Sequence, residues 1–178
     1  MAESAVEISP LEVQLLELKK ISFLGHGASG YVDLVFYGGQ KCALKIGQTA
    51  SALPSFENER KMMELIAGAG GAPRVLAFCP KIPALIMTFC GAKDLVDVVE
   101  KRRFRDERDL LTIALQLTQA VQELHQKGVV HCDLKPNNVV VEMDDEGRPQ
   151  TVHVIDFGLA RPIGGKHTPM KTCLPREW

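Results

Sequence analysis

His131-Cys132-Asp133-Leu134-Lys135-Pro136-Asn137-Asn138, followed by Asp156-Phe157-Gly158, is the stretch on which the reading of this chain turns. An Asp, a Lys two residues on and an Asn five residues on can face one bound group from a single loop. The Asp can accept a hydroxyl proton, the Lys can neutralise a migrating phosphoryl group, and the Asn can ligate Mg²⁺ through its carbonyl oxygen. Asp156, 23 positions after Asp133, supplies a second and harder metal ligand. Either piece alone is a short degenerate motif; their order and separation make the pair specific.

Working outward, the residues before this stretch alternate as strands do from Lys20 onward. Ile21–Leu24, the cluster Gly25-His26-Gly27-Ala28-Ser29-Gly30, and Tyr31–Tyr37 read as strand, turn, strand. Gly38-Gly39 then turns the chain into a third strand, Lys41–Ile46, since glycine tolerates the positive φ of a two-residue hairpin. In a dinucleotide-binding unit the same glycine spacing joins a strand to a helix and precedes an acidic residue. Here it joins two strands and Lys45 follows, which disfavours a dehydrogenase. Ser55–Ala67 is expected to be a helix ended by Gly68, and Gly68–Pro73 a flexible connection. Arg74–Phe78 and Ala84–Phe89 read as two further strands, Asp94–Glu100 as a short helix, and Asp106–Gln126 as a long one with Asp106 as N-cap and Gly128 at its end. Val129–Val130, Val139–Glu142 and Thr151–Ile155 are short strands around the opening stretch. Residues 1 to 18 allow a short helix or an extended lead-in, with Pro10 interrupting any continuous element.

Taken together, these residues resemble the catalytic core of a eukaryotic protein kinase. The resemblance implies an α+β, two-lobed fold: a lead-in over 1–19, then a kinase domain over 20–178. Its small lobe, 20–90, would hold five strands and one helix, and 91–178 would form the first part of a mainly helical large lobe. The implied activity is transfer of the γ-phosphate of ATP, with Mg²⁺, to Ser or Thr hydroxyls of a protein substrate, because Lys135 matches the Ser/Thr form of the loop. Asp133 is the implied base, Lys135 stabilises the phosphoryl group, and Asn138 and Asp156 hold the metal. Backbone groups at Gly25, Gly27 and Gly30 approach phosphates, Lys45 contacts the α- and β-phosphates, and Val32, Ala43 and Val140 join the nucleotide contacts. A lysine at an inward strand position needs a counter-ion. Glu59 is the expected partner and Glu57 its competitor. Met87 corresponds to the residue behind the adenine, Thr88 and Cys90 to the hinge groups that bond it, and Asp94 to a ribose contact; a core methionine and an ordinary loop would look the same. His131 is expected to pack on Phe157 and do no chemistry.

Two departures stand out. Cys132 replaces the arginine common in this loop, which suggests that activation does not need an ion pair to a phosphorylated Thr168 or Thr172. As a thiol beside Asp133 it is either redox-sensitive or an ordinary core cysteine. In addition, no Ala-Pro-Glu follows Asp156-Phe157-Gly158, so the resemblance covers only the first part of a kinase domain. The apolar surface of the helix over 106–126 is then expected to be exposed, with poor solubility or a covering partner as the result. The second reading of function is therefore a non-catalytic module that binds ATP or a partner.

The 178 residues, 46% hydrophobic, suit a globular domain, and a net charge of −1 argues against nucleic acid or a membrane surface as partner. Lys101-Arg102-Arg103 with Arg105 is interleaved with acids and reads as a solvated helix end. Five scattered cysteines without a C-x-x-C pair, and an N-terminus without a signal pattern, point to a reducing compartment, cytoplasmic or nuclear.

Overall fold

The computed structural model describes residues 5–27, 30–101 and 106–164. Chain order begins with a strand, β1 (Val6–Glu7), and a helix, α1 (Pro10–Leu18). Pro10 starts α1 rather than interrupting it, because a first-turn N–H has no helical partner to lose. Ser9 and Glu12 form a reciprocal cap: the Ser9 N–H donates to Glu12 Oε2 at 2.8 Å and the Glu12 N–H to Ser9 Oγ at 3.3 Å.

Three strands follow, β2 (Ser22–Gly27), β3 (Gly30–Tyr37) and β4 (Gln40–Ile46), then helix α2 (Leu53–Ile66), β5 (Val75–Cys79) and β6 (Ala84–Thr88). They form one mixed sheet of six strands in the order β1-β5-β6-β4-β3-β2. The sixth strand, absent from the expected five, is β1, which pairs parallel with β5 through Val6↔Ala77 and Glu7↔Phe78. Two residues are too few for a period to show in sequence. The lead-in therefore belongs to the small lobe, as both an edge strand and a second helix. Tyr31 Oη donates to Glu17 Oε1 at 2.6 Å and Lys20 pairs with the fully buried Asp33 at 3.1 Å, which fastens α1 and the turn after it onto β3.

Strand alternation explains how the sheet is buried on both faces. Cys42, Leu44 and Ile46 of β4 pack with Ile8, Val13, Val35, Ala77 and Ile86 on one face. Ala43 packs on the other, against Phe56, Met63 and Ile66 of α2. α2 ends one residue earlier than Gly68 suggests: Ala67 takes the left-handed conformation, φ +51°, and its N–H donates to Met63 O.

The connection after α2 is docked rather than flexible. A 3-10 turn, Ala69–Gly71, lies on the next lobe, and the Gly70 N–H donates to Glu123 at 2.8 Å. Gly70 sits at φ +66°, and a Cβ there would stand 2.7 Å from Ala120 O. Glycine is required by this close approach.

The second lobe contains α3 (Leu95–Glu100), α4 (Glu107–Gln126), β7 (Val129–Val130), a 3-10 turn over Pro136–Asn138, β8 (Val139–Met143), β9 (Pro149–Val154) and β10 (Arg161–Pro162). β8 and β9 form a hairpin, β10 pairs with β7, and α4 lies along β9. Asp106 caps α4 by accepting from the N–H groups of Arg108 and Asp109. One buried cluster joins the lobes: Phe56 and Met63 of α2 share it with Leu124, Val129, Val154 and Phe157. Among the described residues no helix is long and apolar enough to cross a membrane. The fold is α+β and two-lobed.

Candidate active site

Lys45 lies opposite Val32 on β3 and Leu85 on β6, on the face of the sheet that α2 covers. Its ammonium reaches both Glu59 carboxylate oxygens, at 2.9 and 2.7 Å, and Asp156 Oδ1 at 2.8 Å, with the Phe56 ring 5.6 Å away. Glu59 is fully buried, whereas Glu57 is only half-buried, so burial and contact favour Glu59 as the counter-ion. Burial works against the charge on Lys45, but the two carboxylates outweigh it and its pKa is raised. For Asp156 burial is likewise outweighed, by Lys45, and its carboxyl is held below the usual range. At Glu59 burial wins over the pull of Lys45 and pushes the carboxyl up, although Phe157 N–H bonds to it.

The loop from His131 is built by backbone and ring contacts. His131 packs edge-on against Phe157 at 4.9 Å, and its Nε2 lies 2.9 Å from Ile155 O. The Asp133 N–H donates to Nδ1 at 3.3 Å, so Nε2 carries the proton given to Ile155. Cys132 between them takes φ +64° and is exposed, with Sγ near Val130 O. Asp133 Oδ2 accepts from Lys135 Nζ at 2.8 Å and from Asn138 Nδ2 at 3.1 Å. Asn138 is buried, and its amide also donates to Asp133 O at 2.8 Å. The Ile155 N–H donates to Asn138 O at 2.9 Å, which brings the loop beside Asp156. Asp156, at φ +64°, turns sharply out of the strand end.

The remaining expected residues fall around this centre with different degrees of engagement. Gly25 pairs with Val32, and Gly27 with Gly30, across β2 and β3; Ala28 and Ser29 lie outside the described residues. A Cβ on Gly25 or Gly27 would meet no atom, but one on Gly30 would stand 2.0 Å from Ile46 O. The last glycine is thus demanded by β4 itself. Met87 is buried opposite Ala43. The Thr88 N–H is taken by Arg74 O at 2.9 Å and its carbonyl accepts from the Cys90 thiol at 3.9 Å, while Cys90, half-buried, has that thiol pushed up to about 11 by burial and the charge of Glu142. Asp94 is engaged by the protein itself. Its Oδ1 caps α3 through the Asp97 N–H, its Oδ2 accepts from Asn137 at 3.1 Å, and its backbone bridges the buried Val140. Both its carboxylate oxygens already serve the fold. Thr168, Thr172 and the arginines 102, 103 and 105 lie outside the described residues.

A Mg²⁺ ion fits this donor set. Because the Asn138 amide nitrogen is spent on Asp133, its oxygen remains for a cation, and Asp156 contributes a carboxylate. Among the described residues no three acidic, His or Cys side chains gather as a metal cage. Mg²⁺ asks for no cage, since it takes one or two protein oxygens and completes its shell with phosphate and water.

Sequence reasoning missed Asn58, which meets the backbone after Asp156, and Glu123, which holds the turn between the lobes. Neither belongs to a motif; only their adjacency to Glu59 and to the long amphipathic helix could have drawn notice.

The family model of the protein kinase domain matches residues 18–178. Ribosomal protein S6 kinase alpha-6 of Danio rerio is 39% identical over 81 residues, 46% of this chain and 11% of that protein. Ribosomal protein S6 kinase alpha-2 of Homo sapiens is 26% identical over 133 residues, 70% of the chain, and its Mus musculus counterpart 29% over 126 residues, 68% of the chain. These matches cover 18% and 16% of the two proteins. The chain thus spans less than a fifth of the length of the curated relatives it matches.

Proposed function

The chain belongs to the protein kinase family, and from that premise we propose that it carries out ATP-dependent phosphorylation of Ser or Thr hydroxyls on a protein. The observation that carries this reading is the convergence of Lys45, Glu59 and Asp156, within 2.9 Å contacts, beside the Asp133–Lys135–Asn138 group. Mg²⁺, when bound, would neutralise phosphate charge. Lys45, kept cationic by its two carboxylates, binds phosphate oxygens, and Glu59 fixes where its ammonium stands. Asp133, held by Lys135 and Asn138, orients the acceptor hydroxyl and takes its proton. Lys135 is then placed to meet charge developing on the transferred group. Four described cysteines are free, which supports a reducing compartment and a cytoplasmic setting.

Nucleotide binding followed by peptide phosphorylation tests the reading. ATP with Mg²⁺ at a hundredfold excess over Kd should stabilise the chain by about 2.7 kcal/mol, visible as a rise in Tm. Lys45→Met and Asp156→Ala should each remove that rise, and Asp133→Asn should keep it while abolishing phosphorylation of a Ser/Thr peptide library. A Tm rise without phosphorylation in the unaltered chain would favour the non-catalytic module instead.

A further inference from the structure

Asn58 precedes Glu59 on α2, and successive side chains leave a helix about 100° apart. Glu59 enters the sheet core, whereas Asn58 meets the chain just beyond Asp156. Its Nδ2 donates to Gly158 O at 3.3 Å and to Ala160 O at 3.1 Å, across a separation of a hundred residues. Between those carbonyls the chain makes a turn, with the Ala160 N–H donating to Phe157 O at 3.0 Å. Ser55, one helical turn earlier, stands 3.6 Å from where a Cβ on Gly158 would lie. One face of α2 is therefore laid against the Asp156–Ala160 turn.

We propose that Asn58 is a positioning residue that holds this turn on α2, so that Asp156 stays aimed at the metal when nucleotide phosphates draw Lys45 away from it. The proposal rests on the kinase reading above. Without a nucleotide, Asp156 is steadied by Lys45 at 2.8 Å. Phosphate oxygens compete for that same ammonium, and Asp156 itself must turn to a cation. At φ +64° its backbone lies in a region that costs a non-glycine residue about 1 kcal/mol or more, and it persists only where neighbours impose it. The two Asn58 bonds are neutral and run to main-chain oxygens, so they survive the exchange of charges around Lys45.

Calorimetric titration of ATP into the 178-residue chain, once with chelator and once with saturating Mg²⁺, separates this role from others. In the unaltered chain Mg²⁺ should tighten ATP binding. Asn58→Ala should keep metal-free affinity within about twofold and lose about tenfold of the Mg²⁺-dependent gain, as expected for two missing hydrogen bonds. Asn58→Gln, which restores an amide donor, should recover most of it. Asn58→Asp, the same size without the donor, replaces the alanine variant if that does not melt cooperatively. An unchanged Mg²⁺ gain in the donor-less variant would overturn the proposal, and so would an equal loss with and without metal, which marks general structural damage. No ATP binding by the unaltered chain under either condition would overturn the kinase reading and this proposal with it.

Discussion

At the scale of single residues, the site is governed by one buried cation with two anions. Replacing Lys45 with Met leaves Glu59 inside the protein without its counter-ion. Breaking a buried pair in this way costs about 3–5 kcal/mol near neutrality. Glu59 has its folded pKa raised by burial, so its favourable contribution is intact below its unfolded value and lost as pH rises through the folded value. The penalty in the Lys45→Met variant should therefore shrink on going from about pH 8 to about pH 5, measured by urea unfolding. Equal penalties at both would show that Glu59 is not the group responsible. Gly30→Ala poses a different demand, because its methyl would overlap Ile46 O. Strand β4 must move, and a loss of about 2 kcal/mol or more is expected in the same assay.

These residues also show what a sequence exposes. Asp133, Asn138 and Asp156 could be picked out because phosphate and metal chemistry restricts residue type at a set spacing, and Lys45 and Glu59 through the kinase resemblance. Asn58 could not, since an amide on a helix is compatible with solvent, and its partners are backbone carbonyls a hundred positions away that carry no side-chain signature. Asp94 reads two ways for a related reason: an acid at a lobe junction suits a sugar hydroxyl and a helix N-terminus equally, and here both of its oxygens also have protein donors.

At the scale of elements, the strands and the long helix were legible where a period repeats. α1 was harder. Leu11, Leu15 and Leu18 have helical spacing, yet all three are exposed, and the helix is buried through Val13 instead. Its attachment is partly polar, through Ser9, Glu12, Glu17 and Tyr31. Ser9→Ala should lower stability by about 1 kcal/mol through loss of the cap. Tyr31→Phe, which leaves the Glu17 contact unmade, should cost about 0.5–1.5 kcal/mol. Both should speed amide exchange in α1 before that of β4 to β6; uniform acceleration throughout the sheet would contradict local detachment. The Gly68–Pro73 connection was misread as slack because glycine favours both looseness and tight approach, and only the neighbouring atoms decide between them.

For the whole molecule, α4 presents Leu111 and Leu115 outward, 70% and 59% exposed, on the side away from β9. Single exposed leucines are ordinary, but two a turn apart on one helix form an adhesive strip. Leu111→Lys with Leu115→Glu should alter stability by no more than about 0.5 kcal/mol, and light scattering by the unaltered chain, if this strip causes it, should fall in the variant. Unchanged scattering would show that the strip is not the cause.

The Gly70–Glu123 bond holds the turn that follows α2 against the second lobe, while Glu59 lies seven residues before Ile66. At 1.5 Å per residue that is a lever arm of about 10 Å. A tilt of roughly 15° about such a fulcrum would carry Glu59 through roughly 3 Å, enough to part it from Lys45 without melting a single turn of helix. Phe56, ten residues before Ile66, would travel farther still, about 4 Å, so disengaging the charged site by angle also draws a fully buried ring out of the core that the two lobes share.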